Sequence, residues 1–318
     1  MAITLEESKV GMADKVDIAV VDEFRRNSKL MDMLIFDNSV SPGTSGSTLT
    51  YGYLQLKTPS TAAKRTINSE YTAGEAKKEK KSADLAIMGG KYTLDRVIIN
   101  TSGALDELAF QQAQKIKATA NYFHYTVVNG VKATDGFDGL KTLLAGTQNE
   151  ITSDVDISTA DKMTTNAQGF LDELDTLVAS IEGGATALLM NRKMLTKVRG
   201  VARRAGYYTR SENSAGEVTE YYSGIPMLDL GKYYNGSKAV DVVPIENYKT
   251  AIYAIRIGLD AFHGVTPVGD KIISQYTPDL TLPGAVKEGE VEFVGAVVLK
   301  NTLTAGVLKD ITIDAAAG

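Results

Sequence analysis

Two runs of strand-forming residues, LTYGYLQLK at 49–57 and ADLAIMGGKYTL at 83–94, enclose a stretch with almost nothing to bury, TPSTAAKRTINSEYTAGEAKKEKKS at 58–82. Aromatic and β-branched residues favour the flanks as strands, whereas the polar middle has no place in a core. The pattern predicts a long two-stranded arm with a polar tip. Such a ribbon is marginal in water on its own, so it must rest on another surface, and a neighbouring subunit is the expected one. The lysines of the tip, Lys77, Lys78, Lys80 and Lys81 around Glu79, form either a solvated face or a contact for an acidic neighbour or phosphate.

A second constraint follows directly. Leu105, Leu108, Ala109, Gln112, Ile116, Ala120, Phe123 and Val127 recur on one helical face, with polar Gln111, Gln114, Lys115, Lys117 and Asn121 on the other. Thr101 or Ser102 is the expected N-cap, and Gly130 the stop. About 25 residues at ~1.5 Å each give a strut of roughly 40 Å. Ahead of the arm, Val16 to Phe36 reads as one amphipathic helix or two, followed by the turn SVSPGTSGSTLT. Its GTSGST lacks the lysine and following helix of a phosphate loop.

Beyond the strut the pattern becomes mixed. A helix is expected from Asn166 to Ile181, burying Phe170, Leu171, Leu174, Leu177, Val178 and Ile181, and ATALLM at 185–190 reads as a buried strand. Then comes NRKMLTKVRGVARRAGYYTR at 191–210, with seven basic residues and no acid, in a chain of net charge -5. Met194, Leu195, Val198 and Ala202 share one face of this helix. VTEYYSGIPMLDL reads as strand, turn, strand, and the tyrosine pairs 207/208, 221/222 and 233/234 as one residue in and one out. The alternation in VDVVPI, TAIYAIRIG and VEFVGAVVLKNTLTAGVLKDITI makes the last quarter β-rich, returning to an earlier sheet.

The chemistry that is absent narrows function further. The 318 residues contain no cysteine, which excludes disulfides and thiolate sites. The two histidines, His124 and His263, sit in no catalytic or zinc motif and are expected to be structural. Asp154, Asp156 and Ser158 imitate the start of a calcium loop without its glycine or distal glutamate. No catalytic residue, cofactor or metal site is expected. No window approaches the ~20 apolar residues of a membrane span, and the N-terminus lacks a secretory pattern, so a soluble intracellular product without membrane contact is expected.

In order, the parts are an N-terminal helical arm, a long polar hairpin, a strut helix, a mixed α/β unit and a β-rich return. This order resembles the major capsid proteins of tailed bacteriophages, with the fold known from phage HK97. AKRTINSEYTAGEAKKEKKSADLAIMGGKYTLDRVIINTS is similar to that family's extended loop. ALLMNRKMLTKVRGVARRAGYYTR is similar to its axial segment, where a strand ending in Met-Asn leads into a helix and a Gly-Tyr turn, and GIPMLDL to the strand after it.

The resemblance implies an α+β fold in five parts. These are an N-terminal arm at 1–40, an extended loop at 41–100, and a peripheral domain with a spine helix at 101–165. An axial domain at 166–250 follows, and a β-rich return at 251–318 completes both domains. It also implies a virion capsid, built in the host bacterial cytoplasm from hexamers and pentamers of this chain. The implied partners are a separate scaffolding protein, a portal, a decoration protein and packaged DNA held by non-specific contact. The basic helix then belongs at a subunit interface or on the inner surface, with Arg199, Arg203 and Arg204 as its contact residues. Lys77 to Lys81 are the loop's contact residues, and no crosslinking glutamate is matched. The alternatives are an encapsulin-type nanocompartment shell, a DNA-binding module built on helix 191–206, and an enzyme with a spatially assembled site.

Overall fold

The structure is a computed structural model, described for residues 29–39, 49–58, 60–101, 106–206, 209–212, 218–267 and 273–315. All but the ends of the expected turn at 39–50, and most of the N-terminal helix, fall outside these residues, as do Tyr207 and Tyr208. Lys29–Met33 is helical, but the helix does not continue to Phe36. Phe36–Asn38 is instead strand β1, pairing parallel with β13 (Phe262–Thr266).

Two sheets organise the chain. One is five-stranded. Its axis is β15 (Val286–Leu299), fourteen residues long, which pairs along its first part with β4 (Ala86–Asp95) and β14 (Ser274–Tyr276) and at its end with β13. The other is seven-stranded, in the order β5 (Glu150–Thr152), β16 (Ala305–Thr312), β12 (Lys249–Ile255), β6 (Ala187–Met190), β9 (Ile225–Asp229), β8 (Val218–Tyr222), β7 (Thr209–Glu212). The C-terminal quarter thus returns to both sheets, as its alternation predicts.

Successive strand residues point to opposite faces, and the seven-stranded sheet uses this to serve two cores. From β6, Ala187 and Leu189 enter one core, and Leu188 and Met190 the other; on β12, Tyr253 and Ile255 separate in the same way from Ile252 and Ala254. The second core is closed by helix Ala167–Ala179, through Phe170, Leu174 and Leu177, and by helix Arg192–Ala205, through Met194, Val198 and Val201. The first core centres on Phe123, whose ring lies 4.6 Å from that of Phe293, 6.3 Å from Phe36 and 6.5 Å from Phe137. β15 approaches the aromatic side chains of β4 closely at Gly289, where an added Cβ would lie 2.4 Å from the Tyr92 ring.

The strut is helix Glu107–Asn129, about 35 Å long by its rise per residue. Its N-cap is Asp106, whose carboxylate accepts from the Leu108 and Ala109 N–H groups, rather than Thr101, which ends a separate short helix Arg96–Thr101. An acidic N-cap satisfies orphan amides and complements the helix dipole at once. Apart from Glu107 at its start, only its C-terminal half is deeply packed: Thr119, Phe123, His124 and Thr126 to Val128 are buried, whereas Ala109 is exposed and Leu108 and Ile116 are partly so. The expected continuous buried stripe therefore stops halfway along the helix.

The hairpin needs a larger correction. Strand β2 (Thr50–Thr58) pairs antiparallel with β3 (Lys77–Asp84), not with β4. The lysine run therefore forms a strand of the ribbon, and the tip is the irregular segment 60–76, exposed at nearly every position. Segment 83–94 splits at Leu85, and its second part belongs to the five-stranded sheet. A lysine run broken by a single Glu has no strand signal of its own. It becomes a strand because β2 offers it a ladder of backbone hydrogen bonds.

Candidate functional site: the ribbon and the basic helix

The ribbon is pinned at its base and free beyond it. One face turns inward, with Tyr53, Gln55 and Ala83 buried, and the Gln55 amide donates to the Leu299 carbonyl at 3.1 Å. Tyr51 donates its hydroxyl to Asp37 at 2.8 Å and lies edge-on to His263, with the Lys300 ammonium 5.5 Å from its ring centre. Burial, then the Asp37 carboxylate, pushes the Tyr51 phenol well above its ordinary value. Lys132 secures the other strand, donating to the Ser82 carbonyl at 2.8 Å and lying 3.6 Å from Asp84.

The outward face carries different side chains. Leu54 sits opposite Lys80 and Leu56 opposite Lys78, so two leucines and two lysines share one face, and Leu54 is 62% exposed. Lys77 and Lys81 lie on the other face, with Glu79 between them.

The basic helix is built from its caps inward. The Asn191 side chain accepts from the Met194 N–H at 2.8 Å and donates to the Val243 carbonyl and the Thr250 hydroxyl, tying the helix start to β12. Gly206 ends the helix in the left-handed region, φ 79°, where only glycine is unstrained. Most of the helix's cations are engaged within the chain. Arg192 meets Asp229 at 3.6 Å, Lys193 pairs with Asp314, and Arg199 with the buried Glu220. Lys197 donates to the carbonyls of Ile157 and Ser158, and Arg204 to the Thr164 hydroxyl and the Gly200 carbonyl. Arg203 alone is exposed with no partner among the described residues. The two sets of sequence-predicted contact residues therefore sit on separate elements, the lysines on the ribbon and the arginines on the helix layer of the seven-stranded sheet.

The remaining polar candidates are structural in their contacts. His124 and His263 are both fully buried, deeper than the sequence implied, and no ring nitrogen of either has a hydrogen-bond partner among the described residues. Burial lowers the pKa of His124 to about 4; burial, then Lys300, lowers that of His263. Burial works against the ionised Asp156 carboxyl, but hydrogen bonds from Lys162 and Ser158 outweigh it and hold the pKa at about 2. That carboxylate is committed to its own loop. A cleft of about 280 Å³ is lined by Lys141, Glu150, Glu246, Lys249, Tyr253 and Lys309 among others. There the Lys309–Glu150 pair, 2.6 Å apart, lowers the Glu150 pKa and raises that of Lys309. Both groups are fixed in their charged forms, the opposite of tuning toward neutral pH for proton transfer.

One row of charge escaped the sequence reading. In VKEGEVEF, Glu288, Glu290 and Glu292 alternate on β15 and share the sheet face turned away from the core. The period of two was the available signal. Only the structure shows that this face is open.

No protein-family model matches the chain, and no curated protein sequence does. Solved structures match it in fold. The encapsulin of the holo-SrpI complex from Synechococcus elongatus PCC 7942 aligns with a TM-score of 0.65 at 15% identity, over 100% of both chains. A chain of Mycobacterium phage Adephagia aligns at 0.61 and 11%, again over 100% of both. The capsid of a native GTA particle aligns at 0.60 and 14%, over 90% of this chain and 91% of the other. The chain therefore has the HK97-like capsid fold, in its α+β form, across its full length.

Proposed function

We propose that this chain is a shell subunit, the major capsid protein of a tailed bacteriophage, which assembles through hexamers and pentamers into an icosahedral shell around double-stranded DNA. The observation that carries this reading is the full-length agreement in fold with capsid and encapsulin chains. The ribbon supports it, because its tip finds little of its own chain to rest on. In a closed shell each interface adds little, but every subunit makes several, so contacts that are weak singly become stable together. Residues 60–76 of the ribbon lie over a neighbouring subunit. A separate scaffolding protein, a portal and a decoration protein complete the particle, which forms in the host bacterial cytoplasm.

Arg203, the one cation of the basic helix without a partner among the described residues, is its best interface or lumen contact, ahead of Arg199 and Arg204. The same bookkeeping counts against a sequence-reading DNA module. Affinity for DNA comes from cations free to neutralise phosphate, and five of the six on this helix are engaged in the chain.

An encapsulin-type compartment is the second reading, favoured by the encapsulin match over both full chains. Electron microscopy of the sedimented protein tests the shell itself, and only monomers, with a candidate scaffold co-expressed, would defeat it. Nucleic acid inside the particles identifies the phage reading; a co-purifying cargo enzyme identifies the compartment.

A further inference from the structure

The chain contains two Asn-Gly pairs, Asn129–Gly130 and Asn235–Gly236. In such a pair the glycine nitrogen can attack the asparagine side chain, because the glycine has no Cβ to block the approach. The fold treats the two pairs in opposite ways.

Asn235 opens the connection between β10 (Lys232–Tyr234) and β11 (Ala239–Asp241), and residues 234–239 are all exposed. Gly236 sits at φ 92°, a conformation that glycine adopts without strain. Among the described residues neither the Gly236 N–H nor Asn235 Nδ2 has a hydrogen-bond partner. Asn235 Oδ1 instead accepts from the backbone N–H groups of Ser237 at 3.1 Å and Lys238 at 3.0 Å. An attack on Asn235 Cγ puts negative charge on that oxygen, and two fixed donors already point at it, as in an oxyanion hole.

At the other pair the same groups are occupied. Asn129 Nδ2 donates to the carbonyls of Tyr125 at 3.2 Å and Val242 at 2.7 Å. Gly130 is buried; its N–H donates to the Thr126 carbonyl at 2.7 Å, and its own carbonyl accepts from the Gly139 N–H at 2.9 Å. Nucleophile and leaving group are both tied down, so reaction there requires the end of the long helix to open first.

We propose that Asn235 is a site of spontaneous deamidation in the folded protein, and that the fold protects Asn129. Hydroxide takes the Gly236 N–H proton, the nitrogen bonds to Asn235 Cγ, and the Cγ–Nδ2 bond breaks, Nδ2 leaving as ammonia with a proton from water. The product is a cyclic imide, which water then opens. Opening at the original backbone carbonyl leaves the chain running through Cγ, an isoaspartate; opening at Cγ gives an ordinary aspartate. Either product adds a negative charge, and isoaspartate also lengthens the backbone of the turn. That turn belongs to a hairpin held on the long helix by Tyr233, whose ring lies 5.4 Å from that of Tyr122 and 4.8 Å from that of Tyr125. The reaction needs only the subunit's own turn and is independent of the shell reading.

Ageing the purified full-length protein in warm, mildly alkaline buffer tests this. After digestion, mass spectrometry of the two Asn-Gly peptides should show acid accumulating at 235, partly as isoaspartate, and faster as pH rises. Asn129 should react about tenfold or more slowly in the folded protein, since its hydrogen bonds must open first, and should approach the rate of Asn235 in denaturant. Gly236→Ala should suppress the reaction at 235 and leave Asn129 unchanged; the comparison in denaturant holds whatever that substitution does to the turn. Three results would overturn the proposal: no acid at 235 in the folded protein, equal rates at the two sites before unfolding, or a rate at 235 that rises in denaturant as steeply as that at 129.

Discussion

The seven-stranded sheet with its two helices and the ribbon of β2 and β3 are built from the same alternation and have opposite fates. In the sheet both alternating sets are buried, because a core lies on each side: Leu188 and Met190 face one, Ala187 and Leu189 the other. In the ribbon the inward set, Tyr53 and Gln55, is buried, while the outward set, Leu54 and Leu56, faces solvent. One region completes its packing within the chain and the other does not. The difference separates residues that hold the fold together from residues that it leaves open to solvent.

The largest effects should come from the completed region. Phe170→Ala in the second core, or Phe293→Ala in the first, removes a fully buried ring and should cost about 3–5 kcal/mol in urea unfolding. Leu54→Ala on the ribbon should cost less than about 0.5 kcal/mol. A comparable loss at Leu54 would show that the ribbon is part of the subunit's own core.

Acid probes the same contrast. His124 has a folded pKa of about 4 against an ordinary 6.5, so as pH falls the unfolded chain takes up its proton first. Its contribution is whole above pH 6.5 and is lost as pH drops through the window to 4, amounting to about 3 kcal/mol there. Unfolding titrations at neutral pH and near pH 4 should show His124→Leu flattening this slope, with His263, shifted in the same direction, supplying what remains. A slope unchanged by the substitution would mean that the buried imidazole is not what acid attacks.

The smallest effect on stability should come from the tip. Deleting residues 61–75, short of β3, removes only segments that lie outside both cores, so the melting temperature should change little while particle assembly is lost. A deletion reaching residue 80 would also cut half of β3 and confuse the two outcomes. Normal shells from the shorter deletion would mean that the tip is dispensable for assembly.

Much of the subunit could be read from the chain. The helix from Asn166, the strand before Asn191, the basic helix ending at Gly206 and the hairpin through Ser223 and Gly224 each carry a local signal, either a period or a cap, and each stands within a residue or two of its expected place. The contact residues were less legible. The arginines of 191–210 stand out by composition, yet Arg199 turns to Glu220 and Arg204 to Thr164, residues brought near only by folding. The lysines stand out too, but their polarity predicts a tip where the fold has a strand.

Local sequence settles whatever a few neighbouring residues can: the helical and strand periods, the caps, and the polar stretch that no core could accept. Tertiary structure alone decided that β3 rather than β4 pairs with β2, and that one sheet divides two cores. It alone also left the glutamates of β15 uncovered. Strand pairing is chosen among distant partners through backbone hydrogen bonds that carry no residue identity. Whether a charged row is buried, paired or free depends on what the rest of the chain lays over it.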